Sequence, residues 1–428
     1  MHTVRLVSCA AAALMLLGSV QPRPLHGQTA QQSGAQQPTF RATTSLVEVD
    51  VIAVDKSGKF VSGLTADDLV LFEDGKKQKI EQFYMVTHDA GAPANSTIGG
   101  GPAEAENHAH RVFVLMFDEE HLANESLMRV KKAAEAFLQQ QLAPDDVAGV
   151  FTAGALYKGR LTSDKIELLA GVRTVKPAFD NRQRLLEGFR EFPRIPGEID
   201  AARIADGARE LVEQLGVQAC QDEPAQCLEG GGLQQIENRI ERKARDYVHH
   251  ARILTGNTIQ NLQYVTSRLV RIPGRKTIVF MSEGFFVEES RALLQTIAAQ
   301  AARGGTVIYS IDGRGLVHGN SAMPDVIKRD MARSTVFDTA EDAPTILTAG
   351  TGGFRVSNTD DMTRAFGLIV RDTSTYYVIG YQPDNKVMDG KFRRIEVKSD
   401  VAGLNLRARR GYLAVTLPPL QQIRGGGQ

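Results

Sequence analysis

Between Ser45 and Asp55 apolar and polar residues alternate as Leu46-Val47-Glu48-Val49-Asp50-Val51, the period of a strand with one buried face. The stretch Asp55-Lys56-Ser57-Gly58-Lys59 then reads as a turn with glycine at its left-handed position. Val61 to Leu64, Leu69 to Glu73, the turn at Asp74-Gly75 and Ile80 to Val86 continue as short strands. The pattern predicts a small all-β unit over residues 40–87. Residues 88–110, rich in Ala, Gly, Pro, Ser and Asn, read as a linker.

After the linker the period changes. Arg111 to Phe117 is a continuous apolar run, suited to a strand covered on both faces. Asn124 to Leu142 puts Leu127, Val130, Ala134, Phe137 and Leu138 on one helical face. Asp146 to Ala153 predicts a strand, Tyr157 to Leu161 a further extended piece, and Asp164 the start of a short helix. Ile259, Leu262, Val265 and Leu269 mark a later helix. Strand Lys276 to Met281, helix Arg291 to Ala302, strand Thr306 to Ile311, strand Gly353 to Val356 and helix Asp360 to Arg371 follow. Such alternation predicts a doubly wound, mainly parallel α/β sheet over residues 111–374. Residues 180–251 interrupt it with charged, helix-favouring sequence around a polar loop from Cys220 to Cys227 and a Gly230-Gly231-Gly232 linker, so a helical insertion is expected there.

Tyr376 to Tyr381, Phe392 to Lys398 and Leu404 to Leu413 return to strand alternation. A few isolated strands cannot bury a face alone. Residues 375–415 are therefore expected to join 40–87 in one small β-sandwich, with Tyr377 and Tyr381 on the same face and packed in a core. Residues 416–428 read as a tail.

Composition narrows the partners. The 428 residues are 42% hydrophobic, enough for two or three domains with full cores. Lys+Arg and Asp+Glu are both 50, and no basic run with interleaved aromatics is present, so nucleic acid is not an expected partner. Arg5 precedes an apolar stretch from Val7 to Val20 and a polar region from Gln21 to Ala30, the pattern of a secretory signal peptide over 1–29. That run is shorter than the ~20 residues of a spanning helix, so no membrane span is expected after cleavage, and the protein is expected to be secreted or periplasmic. Cys9 precedes most of the apolar run and so does not fit a lipidation site. Cleavage leaves Cys220 and Cys227, expected as a local disulfide in an oxidising compartment; unlinked thiols or a metal half-site are the alternatives.

The strand ending Phe117-Asp118, the polar loop after it, the amphipathic helix, and the later strand ending Met281-Ser282-Glu283-Gly284 together resemble the von Willebrand factor type A domain. Thr351-Gly352-Gly353, Asn358-Thr359-Asp360-Asp361, Tyr376 to Tyr381, Asp389 to Arg393 and Arg407 to Tyr412 look like the type A-related family of Acidobacteria. The resemblance covers Phe40 to Val415. It implies a Rossmann-like fold and a site where an Asp-x-Ser-x-Ser loop, a Thr and a second Asp surround a divalent ion. Here Asp118 matches the first Asp, Glu120 and Leu122 stand where the serines belong, Glu283 replaces the second Asp, and Thr255 or Thr258 supplies the threonine. The resemblance thus makes Asp118, Glu120, Thr258 and Glu283, with Asp312 as a further neighbour, candidates for a degenerate oxygen cage around Ca²⁺, or around Mg²⁺ with its stricter octahedral shell; solvated or helix-capping carboxylates at strand ends are the alternative.

His121, in the same loop, reads as an exposed surface residue. No nucleophile with a base at diagnostic spacing, no dinucleotide fingerprint and no P-loop is present. The function expected is a non-enzymatic, adhesion-type module that binds a protein or envelope component. A metal-assisted hydrolase at the same loop and a structural envelope component are the alternatives.

Overall fold

The computed structural model describes residues 46–88, 110–178, 181–285, 290–316 and 343–416. The expected signal peptide, residues 89–109 of the expected linker and nearly all of the expected tail lie outside them.

In chain order, strands β1 (Val47–Val54), β2 (Val70–Glu73), β3 (Lys76–Gln78) and β4 (Ile80–Thr87) come first. The α/β region follows with β5 (Val112–Phe117), helix α1 (Asn124–Gln140), β6 (Val147–Thr152), β7 (Ala155–Leu156) and α2 (Lys165–Thr174). Next come α3 (Arg182–Gly188), α4 (Glu198–Ala205), α5 (Arg209–Asp222), α6 (Pro224–Glu229) and α7 (Leu233–Leu269). The chain then forms β8 (Lys276–Ser282), α8 (Arg291–Arg303), β9 (Thr306–Asp312), α9 (Ala343–Thr351), β10 (Arg355–Val356) and α10 (Met362–Ser374). It closes with β11 (Thr375–Tyr381), β12 (Phe392–Lys398), β13 (Asn405–Ala408) and β14 (Gly411–Leu413).

The central sheet has the order β10-β9-β8-β5-β6-β7, parallel from β10 to β6 with β7 antiparallel at the edge. Side chains on a strand alternate between faces, and β5 uses both. Phe113 and Leu115 enter a core with Phe137 of α1, Val172 of α2 and Phe366 of α10. Val114 and Met116 enter another with Leu262 of α7, Leu294 of α8 and Leu347 of α9. Both faces are covered, which is why β5 carries no polar alternation. The fold is a doubly wound α/β sheet, as expected. From β5 the chain moves to β6 and then returns past β5 to β8, so the order reverses between β5 and β8; in open α/β sheets ligands bind at the carboxyl ends of strands at such a point.

The first and last strands interleave into two antiparallel sheets, β13-β1-β11-β4 and β14-β12-β2-β3. Val49 pairs with Ile379 across β1 and β11, and Val378 pairs with Tyr84 across β11 and β4. Val49, Leu71, Phe83, Tyr377, Tyr381 and Ile395 form the core between the sheets, with Tyr377 stacked between Phe60 and Phe83 at 5.3 and 5.1 Å. The expected sandwich is present, and both tyrosines are core residues.

Four sequence expectations change. Val61 to Leu64 is not a strand: the Tyr377 hydroxyl donates to Val61 O at 3.0 Å and accepts from Leu64 N at 3.1 Å, replacing a ladder with one side chain. Tyr157 to Leu161 is not one extended piece: Tyr157–Gly159 form a 3-10 turn that Lys158 interrupts with a left-handed φ of 53°. The insertion does not end at residue 251. Its final helix α7 is 37 residues long and continues straight into the core helix that Ile259 to Leu269 mark, one stripe (Ile236, Ile240, Tyr247) packing inside the insertion and the next (Ile259, Leu262, Val265) against the sheet.

The polar loop between the cysteines is helical as well. Proline opens α6 at a first-turn position, where its missing N–H costs nothing, and the Cys220–Cys227 disulfide joins the consecutive helices α5 and α6. Gly231 and Gly232, at φ 92° and 80°, make the reversal into α7 that L side chains rarely adopt.

Candidate functional site

β5 and β8 end side by side at the reversal point, and the Asp118 N–H donates to Met281 O at 2.9 Å, so the residues after both strands are held together. The chain then turns tightly: His121 N and Leu122 N donate to Asp118 O at 3.1 and 2.9 Å. Leu122 is fully buried in the core beneath α1. That anchor draws the preceding residue inward, and His121, expected on the surface, is only 3% exposed.

The His121 imidazole lies over Asp118, with Nδ1 at 3.0 and 3.1 Å from the two carboxylate oxygens. The ring itself stacks on Phe285, centroids 4.8 Å apart. Thr258 Oγ1 donates to Asp118 Oδ1 at 2.7 Å, and Ser282 Oγ donates to Oδ2 at 2.6 Å. Asp118 is 3% exposed. Burial pushes its pKa up, but the adjacent His121 and the two hydroxyls outweigh burial and hold the carboxyl below its usual range. Buried carboxylates need this kind of partner set.

Of the expected cage residues, Asp118 and Thr258 meet and the carboxylates of Glu120, Glu283 and Asp312 turn to other partners. Thr258, rather than Thr255, meets Asp118. Glu120 turns to Asn257, whose Nδ2 donates to Oε1 at 3.0 Å. Glu283 Oε1 accepts from Ala123 N, at the start of α1, at 2.9 Å, and Oε2 faces Arg182 at 3.5 Å. Asp312 is held by Arg314 and Arg355 at 2.9 and 2.8 Å. Among the described residues no group of three or more His, Cys, Asp or Glu is placed to hold a metal ion. The donor set does not fit a hard divalent cation: both Asp118 oxygens are occupied by protein donors, an imidazole faces them, and Leu122 contributes nothing.

The insertion is bound to this loop. Arg182 N donates to Glu120 O at 2.9 Å and Asn181 Nδ2 to Leu122 O at 3.3 Å. The Arg182 guanidinium, buried with Glu198, bonds it at 3.0 and 2.8 Å, and Tyr247 of α7 donates to the same carboxylate. Burial opposes charge on Glu198, but Arg182 overrides it and keeps the carboxyl low.

Beside the Asp118 cluster a cleft of about 370 Å³ opens between the ends of β5 and β6 and one flank of α7. Glu119, Glu120, Asn257, Gln260 and Asn261 supply most of its polar groups. Glu119 is used locally, accepting from Thr152 Oγ1 at 2.6 Å and Ala153 N at 2.8 Å. Glu120 is half-buried, and its burial raises the pKa despite the bond from Asn257. Ser282 and the α7 amides were not singled out from sequence. The dipeptide Ser282-Glu283 at a strand end was the available signal for the first; the amides needed the course of α7.

Fold and site together define a doubly wound α/β protein with a polar cleft at the carboxyl edge of its sheet. No protein-family model matches the chain, and no curated protein matches it. Among solved structures it is similar to an aerotolerance-related membrane protein from Bacteroides fragilis carrying multiple mutations to serine. Identity there is 10%, over 61% of this chain and 98% of that one, with a TM-score of 0.28. It is also similar to the conserved hypothetical protein BatB from Bacteroides thetaiotaomicron, at 13% identity over 62% of this chain and 98% of that one, with a TM-score of 0.29.

Proposed function

We propose that this is an exported, non-enzymatic binding module that docks a protein or envelope component through the cleft at the carboxyl edge of the sheet, without a metal ion. The observation that carries the reading is Glu120, a half-buried carboxylate bonded by Asn257, in a cleft also lined by the amides of Gln260 and Asn261. Such a lining suits a basic or hydrogen-bond-donating group on the partner. The insertion, tied to the same loop through Arg182, is placed to extend the contact. Export rests on the signal-like start, and the Cys220–Cys227 disulfide fits an oxidising compartment. No described helix is long and apolar enough to cross a membrane.

A nucleophile–histidine–acid relay at this loop is disfavoured by geometry. Such a relay uses opposite ring nitrogens. Here Thr258 and Asp118 both face His121 Nδ1, and Thr258 gives its proton to Asp118.

The test is calorimetric titration of the chelator-treated protein with lysine- and arginine-rich peptides and with uncharged controls, repeated on Glu120→Gln and in the presence of Ca²⁺ and Mg²⁺. Saturable binding of the basic peptides, weakened by Glu120→Gln and indifferent to either ion, is the expected result. Binding that requires an ion, or turnover of ester, peptide or phosphoester substrates that His121→Phe abolishes, would overturn it.

A further inference from the structure

At the opposite edge of the central sheet, where β8 and β9 begin, a cavity of about 440 Å³ lies between the α/β region and the sandwich. Its lining is strongly cationic: Arg275, Lys276, Arg303, Arg407 and Arg409, against the carboxylates of Glu48 and Asp50. The cations fall into two groups. Lys276 Nζ spends its three protons on the carbonyls of Ile272, Gly274 and Gly304, each at 2.6 Å. Arg275 faces Asp50 at 3.3 Å and Asp372 at 3.6 Å, and Arg407 bonds Asp372 and Gly352 O. These three brace the junction.

Arg275 still keeps Nε and Nη1 without a hydrogen-bond partner, and Arg303 and Arg409 stand apart in sharing one aromatic ring. Their guanidinium carbons lie 5.0 and 5.7 Å from the centre of one ring, Tyr412, so two like charges share one small region. Arg409 is 8% exposed and holds two backbone carbonyls, Ala302 O and Glu48 O, yet its Nε has no hydrogen-bond partner; neither has Arg303 Nε. Thr306, 1% exposed at the first position of β9, lines the same cavity with its hydroxyl unpartnered. Burial lowers the pKa of both arginines. Buried donors left unmade are costly and rare in native proteins, and five on the residues lining one cavity, two of them on Arg275, mark a place where the chain does not answer its own charge.

We propose that this cavity binds a small organic oxyanion, a phosphate- or carboxylate-bearing molecule, whose charged end is taken by Arg303, Arg409 and the Thr306 hydroxyl. Guanidinium groups match the planar edge of a carboxylate or the face of a phosphate, and a charge between them relieves their mutual repulsion. The cavity falls within the usual range for small-ligand sites, about 300–1,000 Å³, so the anion has room for an organic body. This site is separate from the carboxyl-edge cleft, and its test does not depend on that reading.

Inorganic phosphate and succinate serve as probes, titrated at constant ionic strength into the full protein and into Arg303→Gln and Thr306→Val, with glycerol as the uncharged control. Saturable binding of one anion is expected, phosphate and succinate distinguishing the two chemistries. Each substitution should weaken it about tenfold, the loss of one charge-assisted hydrogen bond. Thr306→Val has a second readout. Without anion its melting temperature should equal or exceed that of the parent, because the lost hydroxyl has no partner. The proposal fails if neither anion binds saturably, if binding survives both substitutions unchanged, or if Thr306→Val destabilises the anion-free protein.

Discussion

The two edges of the central sheet treat buried charge in opposite ways. At the carboxyl edge Asp118 is enclosed by His121, Thr258 and Ser282, and Arg182 is enclosed by Glu198 and Glu283, so each charge is answered by the protein itself. At the amino edge Arg303, Arg409 and Thr306 keep donors that the chain does not satisfy. A closed cluster adds rigidity and specifies one arrangement, whereas an unsatisfied one is completed by something else. On the proposed reading the carboxyl edge is a scaffold that presents Glu120 and the α7 amides, and the amino edge is itself a receptor.

The strongest way to break this contrast is Asp118→Ala, which leaves His121 and two hydroxyls buried without their acceptor. Removing one partner of a buried pair costs about 3–5 kcal/mol, and a denaturant midpoint should fall accordingly. A loss of less than about 1 kcal/mol, the range of an exposed pair, would mean that the cluster is not closed. Arg182→Met comes next, at about 3 kcal/mol on the same grounds. Limited proteolysis should then cut within residues 181–232 before the rest of the chain, since the insertion loses its tie to Glu283.

Lys276 sharpens the amino-edge half. Burial pulls its pKa down to about 8 from an ordinary 10.5. Between those values the unfolded chain binds more protons than the folded one, so stability rises with pH across the window. The gain from pH 8 to 9.5 should be about 1–2 kcal/mol, and Lys276→Met should flatten that slope whatever it does to the absolute midpoint. The smallest effect is a control outside both edges. Arg160 and Lys158 hold the Glu167 carboxyl at about 2, below its ordinary 4.5. Its contribution is complete above pH 4.5 and lost as pH falls through 2. The stability difference between Glu167→Gln and the parent should shrink over that interval, and it should be modest because Arg160 and Lys158 are largely exposed.

Much of the architecture was readable because periodicity reports which faces are covered. The unbroken apolar run of β5 and the alternation in β1 each led to the correct layer. The continuity of α7 was not readable: its stripe changes partner midway, so the apolar pattern breaks between Tyr247 and Ile259. The site was half readable. Asp118 and Thr258 were found through the resemblance, but spacing cannot show which way a side chain turns, and burial of Leu122 is what brings His121 inward. The amino-edge cavity was invisible, since its walls come from positions as far apart as Glu48 and Arg409 and no local pattern joins them.

One consequence concerns the order in which the chain is made. β11 lies between β1 and β4, so the two longest N-terminal strands have no common neighbour until residues 375–381 arrive. During synthesis the leading segment waits, edges open, while more than two hundred intervening residues emerge; contacts so distant in sequence form late and leave unpaired edges exposed meanwhile. A chain truncated before residue 375 would then lack the strand that closes the first sheet, and its failure would be one of assembly, visible as aggregation through β1 and β4 even though every residue of the carboxyl-edge cleft is present.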